Sequence, residues 1–266
     1  MSNANILVTG GTGRLGSVVC QHLGKKNINF HNLEKGENCR GGHWTCFVHL
    51  ATNYGEGTSR NDVYEANYFF PKRILEKLSE APLRRVINID TILPQETNLY
   101  SKTKCMFREY LAGFSDRYQV VNLRPHIIYG PPMDSVVDKI VHAAAKNQQM
   151  DLSYGFQIRD FVYIEDLVAI IMHFATEVSN FEPGLEDIEI GEGKGYSIRQ
   201  LVSLAQEHFV RNSARFNFGT YQGRPSDPKT LVSRVPLTEL FKQLRIRREP
   251  HCLSRNIGNL AMSWLP

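Results

Sequence analysis

Tyr100-Ser-Lys-Thr-Lys104 places a phenol and an ammonium four residues apart, so on a helix they share one face. A free phenol titrates at about 10 and is a poor acid–base group near neutrality. Lowering it by about three units takes about 4 kcal/mol, demanding for one cation in water but attainable in a closed site with a second positive charge nearby. Thr91 follows the strand pattern Val86–Ile89, where its hydroxyl would reach the same carbonyl oxygen as Tyr100. The competing readings are a tyrosine packed on a lysine stem at a surface, and a threonine satisfying its own turn.

What favours chemistry lies at the other end of the chain. In Ile6-Leu-Val-Thr-Gly-Gly-Thr-Gly-Arg-Leu-Gly16, apolar residues end at Thr9, and Gly10, Gly13 and Gly16 follow at three-residue spacing. Leu15, Val18, Val19 and Leu23 then recur at helical intervals. A strand, a glycine turn and a helix start bring backbone N–H groups to a pyrophosphate. An NAD(P) nicotinamide, when oxidised, would be the second positive charge beside Tyr100. Glu34 stands eighteen residues beyond Gly16, where a carboxylate accepts from both ribose hydroxyls and repels a 2′-phosphate, favouring NAD. Arg14, Lys35 and Arg40 soften that exclusion, so NAD(H) and NADP(H) both stay open.

These groups need a scaffold. Ile6–Val8, Ile28–Leu33, Cys46–Leu50, Arg85–Ile89 and Val120–Leu123 read as strands, and Leu15–Leu23, Val63–Leu78 and Ser101–Phe114 as helices. The alternation predicts an α/β fold, a Rossmann-type doubly wound parallel sheet. Beyond Pro131 the pattern loosens into helices at Val136–Lys146, Asp166–Ala175 and Ile198–Phe209, extended Arg159–Ile164, a strand near Ile188–Ile190 and a Pro/Gly-punctuated tail. The expected division is residues 1–130 with about 158–192 as the dinucleotide-binding domain. Residues 131–157 with 193–266 then form a smaller substrate-binding lid over the sheet's carboxyl edge.

The 266 residues, 42% hydrophobic and 22% charged with a net charge of +4, are those of an ordinary globular protein. Apolar runs such as 167–172 are too short for a membrane span, and no secretion leader is read. Five scattered cysteines lack metal-pair spacing and read as reduced thiols, so no metal and a cytoplasmic location are expected. Arg245-Ile-Arg247-Arg248 is too short a basic run for nucleic acid and reads as a solvated helix end.

Together these motifs resemble the extended short-chain dehydrogenase/reductases, the NAD-dependent epimerase/dehydratase group acting on nucleotide sugars. Thr9-Gly10-x-x-Gly13-x-x-Gly16 matches its cofactor turn, with Arg14 and Leu15 inside it. Val48-His-Leu50-Ala51 resembles the strand beneath the nicotinamide side, and Asn67 matches the helix asparagine. Thr91, Tyr100 and Lys104 match the Ser/Thr–Tyr–Lys triad. Leu123–Gly130 resembles the strand entering the substrate site. Arg159 in Arg159–Asp166 and Arg224 in Gly223–Asp227 match arginines that hold the nucleotide diphosphate in relatives. The resemblance implies Thr91, Tyr100 and Lys104 as catalytic groups. It implies Thr9, Gly10, Gly13, Arg14, Leu15, Gly16, Glu34, Leu50, Ala51, Asn67 and Lys104 at the cofactor, and Arg159 and Arg224 at the substrate. It also implies a homodimer through the helix carrying Tyr100, where Phe107, Tyr110, Leu111 and Phe114 supply apolar positions.

Departures from the pattern narrow the chemistry. Eight residues separate Thr91 from Tyr100, a much shorter loop than in relatives, and the connection from Glu34 to Val48 is short enough to lack a strand–helix element. Ile92 and Leu93 replace the Asp-Glu pair of dehydratases, the Cys/His pair of ketone-adjacent epimerisation is absent, and Ile127 replaces the usual substrate-binding asparagine. The expectation is an NAD(P)H-dependent reductase of a nucleotide-diphosphate-linked 4-keto-(6-deoxy) sugar. The alternatives are a nucleotide-sugar 4-epimerase with tightly bound NAD and a non-catalytic NAD(P)-binding regulator.

Overall fold

The computed structural model describes residues 4–263 apart from 35, 38, 40–41, 80, 178–180, 210–213, 224 and 250, with side chains described to residue 260. The chain forms two compact units, residues 1–124 with 168–188, and 125–167 with 189–266. The first unit's leading stretch ends at 124, short of the expected 130, and β6 (Ile127–Tyr129) pairs with β9 (Phe161–Tyr163) instead of joining the large sheet; that unit's second stretch is 168–188 in place of about 158–192.

The first unit is built on β1 (Asn5–Thr9), β2 (Asn29–Leu33), β3 (Cys46–His49), β4 (Arg85–Ile89) and β5 (Gln119–Pro125), with β10 (Gly184–Ile190) at one edge in the order β10-β5-β4-β3-β1-β2. The four pairings from β2 to β5 are all parallel. β2 is the other edge strand, and no helix or strand is described between it and β3, in keeping with the shortened connection. Ile6, Val8, Val48, Ile87 and Val121 are buried on one face and Leu7, Phe47, Val86 and Val120 on the other, as a sheet covered on both sides requires.

Four helical segments flank the strands in sequence: α1 (Arg14–Lys25), α2 (Arg60–Tyr64), α3 (Phe70–Lys77) and α4 (Leu99–Ala112). The single helix expected over Val63–Leu78 is instead α2 and α3 joined by a π-helical turn, Glu65–Phe69. Tertiary hydrogen bonds of Asn67 accompany that extra residue, and sequence periodicity does not register them. Ile74 and Leu75 of α3 and Phe107 and Leu111 of α4 pack with Leu7, Phe47, Val86 and Val120.

The second unit contains β6, α5 (Val136–Ala145), β7 (Gln149–Leu152), β8 (Ile158–Arg159) and β9, then the start of α6 (Ile164–Thr176). β11 (Tyr196–Ser197), α7 (Ile198–Glu207), β12 (Arg215–Phe218), β13 (Thr230–Leu231), α8 (Leu237–Gln243) and α9 (Leu253–Ser263) follow β10. Val137, Ile140 and Val141 of α5, Leu201 and Val202 of α7, and Ile257 of α9 share its core. Asp160, fully buried, accepts backbone N–H bonds from Phe161, Glu192, Gly193 and Ser233 at 2.7–3.0 Å, tying three segments together. Arg248 is not the solvated residue expected of a helix end. Its guanidinium is nearly buried between Asp166 and Glu192 and lies over the Phe241 ring.

Candidate active site

The glycine turn leaves β1 through Gly10, whose φ of +78° favours glycine and whose added Cβ would lie 2.4 Å from the Ala51 nitrogen. Ala51 and Leu50 are thereby set against the turn, and the Leu50 N–H donates to Thr9 O at 2.9 Å. At Gly16 a Cβ would fall 2.0 Å from Gly10 O, so α1 crosses directly over the turn. Gly13 is the N-cap of α1, which therefore has no side-chain cap, and no acidic residue lies in its first turn. Its leading N–H groups and dipole therefore offer an anion site framed by Gly13, exposed Arg14 and half-buried Leu15. Glu34 is exposed just past β2, its N–H donating to the Glu37 carboxylate. Thr9 is closed off from solvent, its hydroxyl 2.8 Å from His49 Nδ1.

A capping box fixes the other half of the site. Asn98 Oδ1 accepts from the Ser101 N–H at 2.8 Å and Ser101 Oγ accepts from the Asn98 N–H, so α4 begins at Leu99 with Tyr100 in its first turn. Tyr100, Lys104 and Arg108 then form one stripe at four-residue spacing. Thr91, buried just past β4, hydrogen-bonds the Tyr100 phenol through its side chain and also accepts from the Leu93 N–H. The Tyr54 ring lies 4.9 Å from the Tyr100 ring. Lys104 is buried with Nζ 3.4 Å from Thr52 Oγ1. Thr91, Tyr100 and Lys104 thus converge at the carboxyl ends of β3 and β4.

The phenol differs from the expectation in one respect. Burial pushes Tyr100 well above the usual tyrosine range, and Tyr54 and Asp90 add to that, while the Thr91 hydrogen bond works against it. Burial also pushes the Lys104 ammonium down to about 8, with Asp90 acting to raise it. The phenol is therefore held protonated, as a proton donor must be.

Asn67 is fully buried and committed within the fold. Its Nδ2 donates to Asn53 O and Thr103 Oγ1, and its Oδ1 accepts from the Asn53 N–H. It acts on the site by fixing the Thr52–Asn53 segment beside Lys104. Arg159, in the second unit, carries Asp227 at 2.8 Å and donates to Ile158 O. Arg224 lies outside the described residues.

Several groups escaped the sequence reading. His49, Asn88 and Asn122 stand in register with the expected Thr9 across β1, β3, β4 and β5 as a fully buried polar row beneath α4, where His49 meets the Phe107 edge. Asp90, fully buried, pairs with Arg108. One signal was available for Arg108: it continues the Tyr100–Lys104 spacing by one turn.

A parallel sheet with a glycine turn at its carboxyl edge and a Thr–Tyr–Lys set beside it defines a Rossmann-type dinucleotide-dependent enzyme fold. Residues 6–191 match the NAD dependent epimerase/dehydratase family, and the chain belongs to it. Its cofactor is accordingly NAD(H) or NADP(H), and the turn, the uncapped helix start and buried Lys104 fit such a group. The chain is 24% identical over 196 residues to a CDP-abequose synthase of Salmonella muenchen and 28% identical over 197 residues to one of Salmonella typhimurium. Each alignment covers 68% of this chain and 64% of the relative, so the chain spans less than two thirds of their length. The fold is similar to that of MoeE5 in complex with UDP-glucose and NAD, with a TM-score of 0.81, 19% identity and 98% of both chains covered. Among the described residues no helix is long and apolar enough to cross a membrane.

Proposed function

We propose that this enzyme reduces the 4-keto group of a nucleotide-diphosphate-linked, 6-deoxy-type sugar to the alcohol, in making sugar precursors of polysaccharides. The observation that carries the reading is the Thr91 hydroxyl on a half-buried, protonated Tyr100, one helical turn from the buried Lys104. When bound, the reduced nicotinamide supplies the hydride for the ketone carbon. Tyr100 gives its phenolic proton to the ketone oxygen as that oxygen gains charge. Thr91 donates a hydrogen bond to the same oxygen and shares its negative charge. Lys104 stabilises the phenolate left behind and holds the nicotinamide ribose. Ile92 and Leu93 offer no acid for expelling a hydroxyl, which argues against dehydration.

Thr9, Gly10, Gly13, Arg14, Leu15, Gly16, Glu34, Leu50 and Ala51 frame the cofactor in this reading, with Asn67 acting through Asn53. Arg159 and Arg224 anchor the diphosphate, Arg159 by sharing its guanidinium between phosphate and Asp227. The names of the two Salmonella relatives support cytidine diphosphate as the nucleotide. A homodimer through α3 and α4 belongs to the same proposal. Phe107 and Leu111 face the protein's own core, leaving Tyr110, Phe114 and exposed Phe69 for the partner.

The second reading is a nucleotide-sugar 4-epimerase, favoured by the family to which the chain belongs. A cofactor balance separates the two. Incubation with a CDP-4-keto-6-deoxy sugar should oxidise one NAD(P)H per alcohol formed. Sugar interconversion sustained by substoichiometric NAD, with no net oxidation, would instead establish the epimerase.

A further inference from the structure

Tyr54 is the most exposed large apolar side chain among the described residues of the first unit, with 61% of its surface open. Exposure alone says little, since single surface aromatics are common. Its surroundings say more. The ring lies 4.9 Å from the Tyr100 ring at a tilt of 41°, so part of its surface is spent on the catalytic candidate and the remainder lies open beside it.

The backbone that carries Tyr54 is fixed on both sides. Asn53 donates its N–H to Asn67 Oδ1, and its carbonyl accepts from Asn67 Nδ2, both at 2.8 Å. The Asn53 side-chain oxygen accepts from the Gly55 N–H at 2.8 Å and from the Thr58 hydroxyl at 3.0 Å. Gly55 turns the chain with a φ of +86°, and Thr52 on the other side meets Lys104 Nζ at 3.4 Å. An exposed aromatic on a segment held this firmly has given up backbone freedom before any ligand arrives, as a preorganised contact surface does.

We propose that Tyr54 is a specificity-determining residue whose ring face receives the methyl-bearing side of the sugar and selects 6-deoxy over 6-hydroxy substrates. The inference rests on placing the sugar's C4 oxygen at Tyr100, which the reductase and epimerase readings share. A ring beside that phenol stands next to the substituents flanking C4. Of these, the methyl group on C5 is the most apolar. An open aromatic face takes a methyl group in preference to a hydroxymethyl, whose oxygen would lose water there and gain no comparable partner.

The test is equilibrium titration calorimetry of the protein saturated with reduced cofactor, comparing CDP-6-deoxyglucose with CDP-glucose. The two ligands differ only in the C6 hydroxyl, and both already carry an alcohol at C4, so neither accepts hydride. Wild type should bind the 6-deoxy ligand about tenfold more tightly. Tyr54→Phe should keep that ratio, and Tyr54→Ala should bring it within about twofold by weakening the 6-deoxy ligand. A ratio that survives in Tyr54→Ala, an equal loss for both ligands, or a wild type without preference would overturn the proposal. An equal loss would leave Tyr54 a support for the Tyr100 ring and nothing more. The titrations need no turnover, so a shifted ratio without reduction of any keto sugar would sink the reductase reading alone. Reduction with an unmoved ratio would sink this inference alone. Binding of neither ligand would remove CDP sugars as substrates, and the inference with them.

Discussion

Lys104 carries the sharpest consequence at the scale of a single residue. Its ammonium is buried beside the Thr52 hydroxyl, and burial brings its titration from 10.5 down to about 8. Between those values the unfolded chain binds the proton that the folded chain has released, so this group's contribution to stability improves as pH rises through that window. Below about 8 the full cost of burying the charge is present. Lys104→Met should therefore be inactive yet more stable at pH 7 by up to about 3 kcal/mol, as chemical denaturation would show. A wild-type reduction rate should fall as pH climbs past about 8, when the ammonium is lost. That same lysine was legible as a catalytic candidate from its spacing to Tyr100. The pair that buried Asp90 makes with Arg108 was not, because its partners lie 18 residues apart in sequence and meet only in the fold.

Among the elements, the β1 turn does most to fix the cofactor side. Gly10→Ala forces a side chain onto the Ala51 backbone at a φ of +78°. It should cost about 2 kcal/mol or more in stability and weaken NAD(P)H binding at least about tenfold, read by denaturation and by nucleotide fluorescence titration. Gly24 in α1 is the control, since an added Cβ there meets nothing within 4 Å. Gly24→Ala should stabilise the protein by about 0.5–1 kcal/mol and leave binding intact. Local pattern made β1, α1, α4 and the parallel strands readable, since each has its own periodicity and a cap or glycine at its border. The π-helical turn was not readable, because Asn67 finds its partners at Asn53 and Thr103, far away in sequence. Nor were β7, β12 and α8, short pieces stabilised by packing within the second unit, nor the 11-residue α9 in the Pro/Gly-punctuated tail.

For the whole molecule, the proposed dimer leaves a mark that can be measured. Phe69 is 44% exposed beside Tyr68, and Tyr110 and Phe114 are half-buried on the neighbouring helix. Sedimentation should find two chains for the wild type and one for Phe69→Glu, with the fold retained by circular dichroism. A monomeric wild type would remove the dimer while leaving the active-site account standing. The +4 charge fits attraction of an anionic nucleotide sugar without requiring a nucleic-acid partner. Family and fold followed from the resemblance of end-to-end motifs. The choice between reduction and epimerisation did not, because both chemistries use the same phenol, hydroxyl and ammonium.

The most direct measurement is single-turnover NAD(P)H oxidation by Tyr100→Phe with the CDP-4-keto-6-deoxy sugar that the wild type reduces. Loss of the phenolic proton should slow the chemical step by about 100-fold to 10,000-fold, with nucleotide binding unchanged. Reduction at the wild-type rate by that variant would contradict the account.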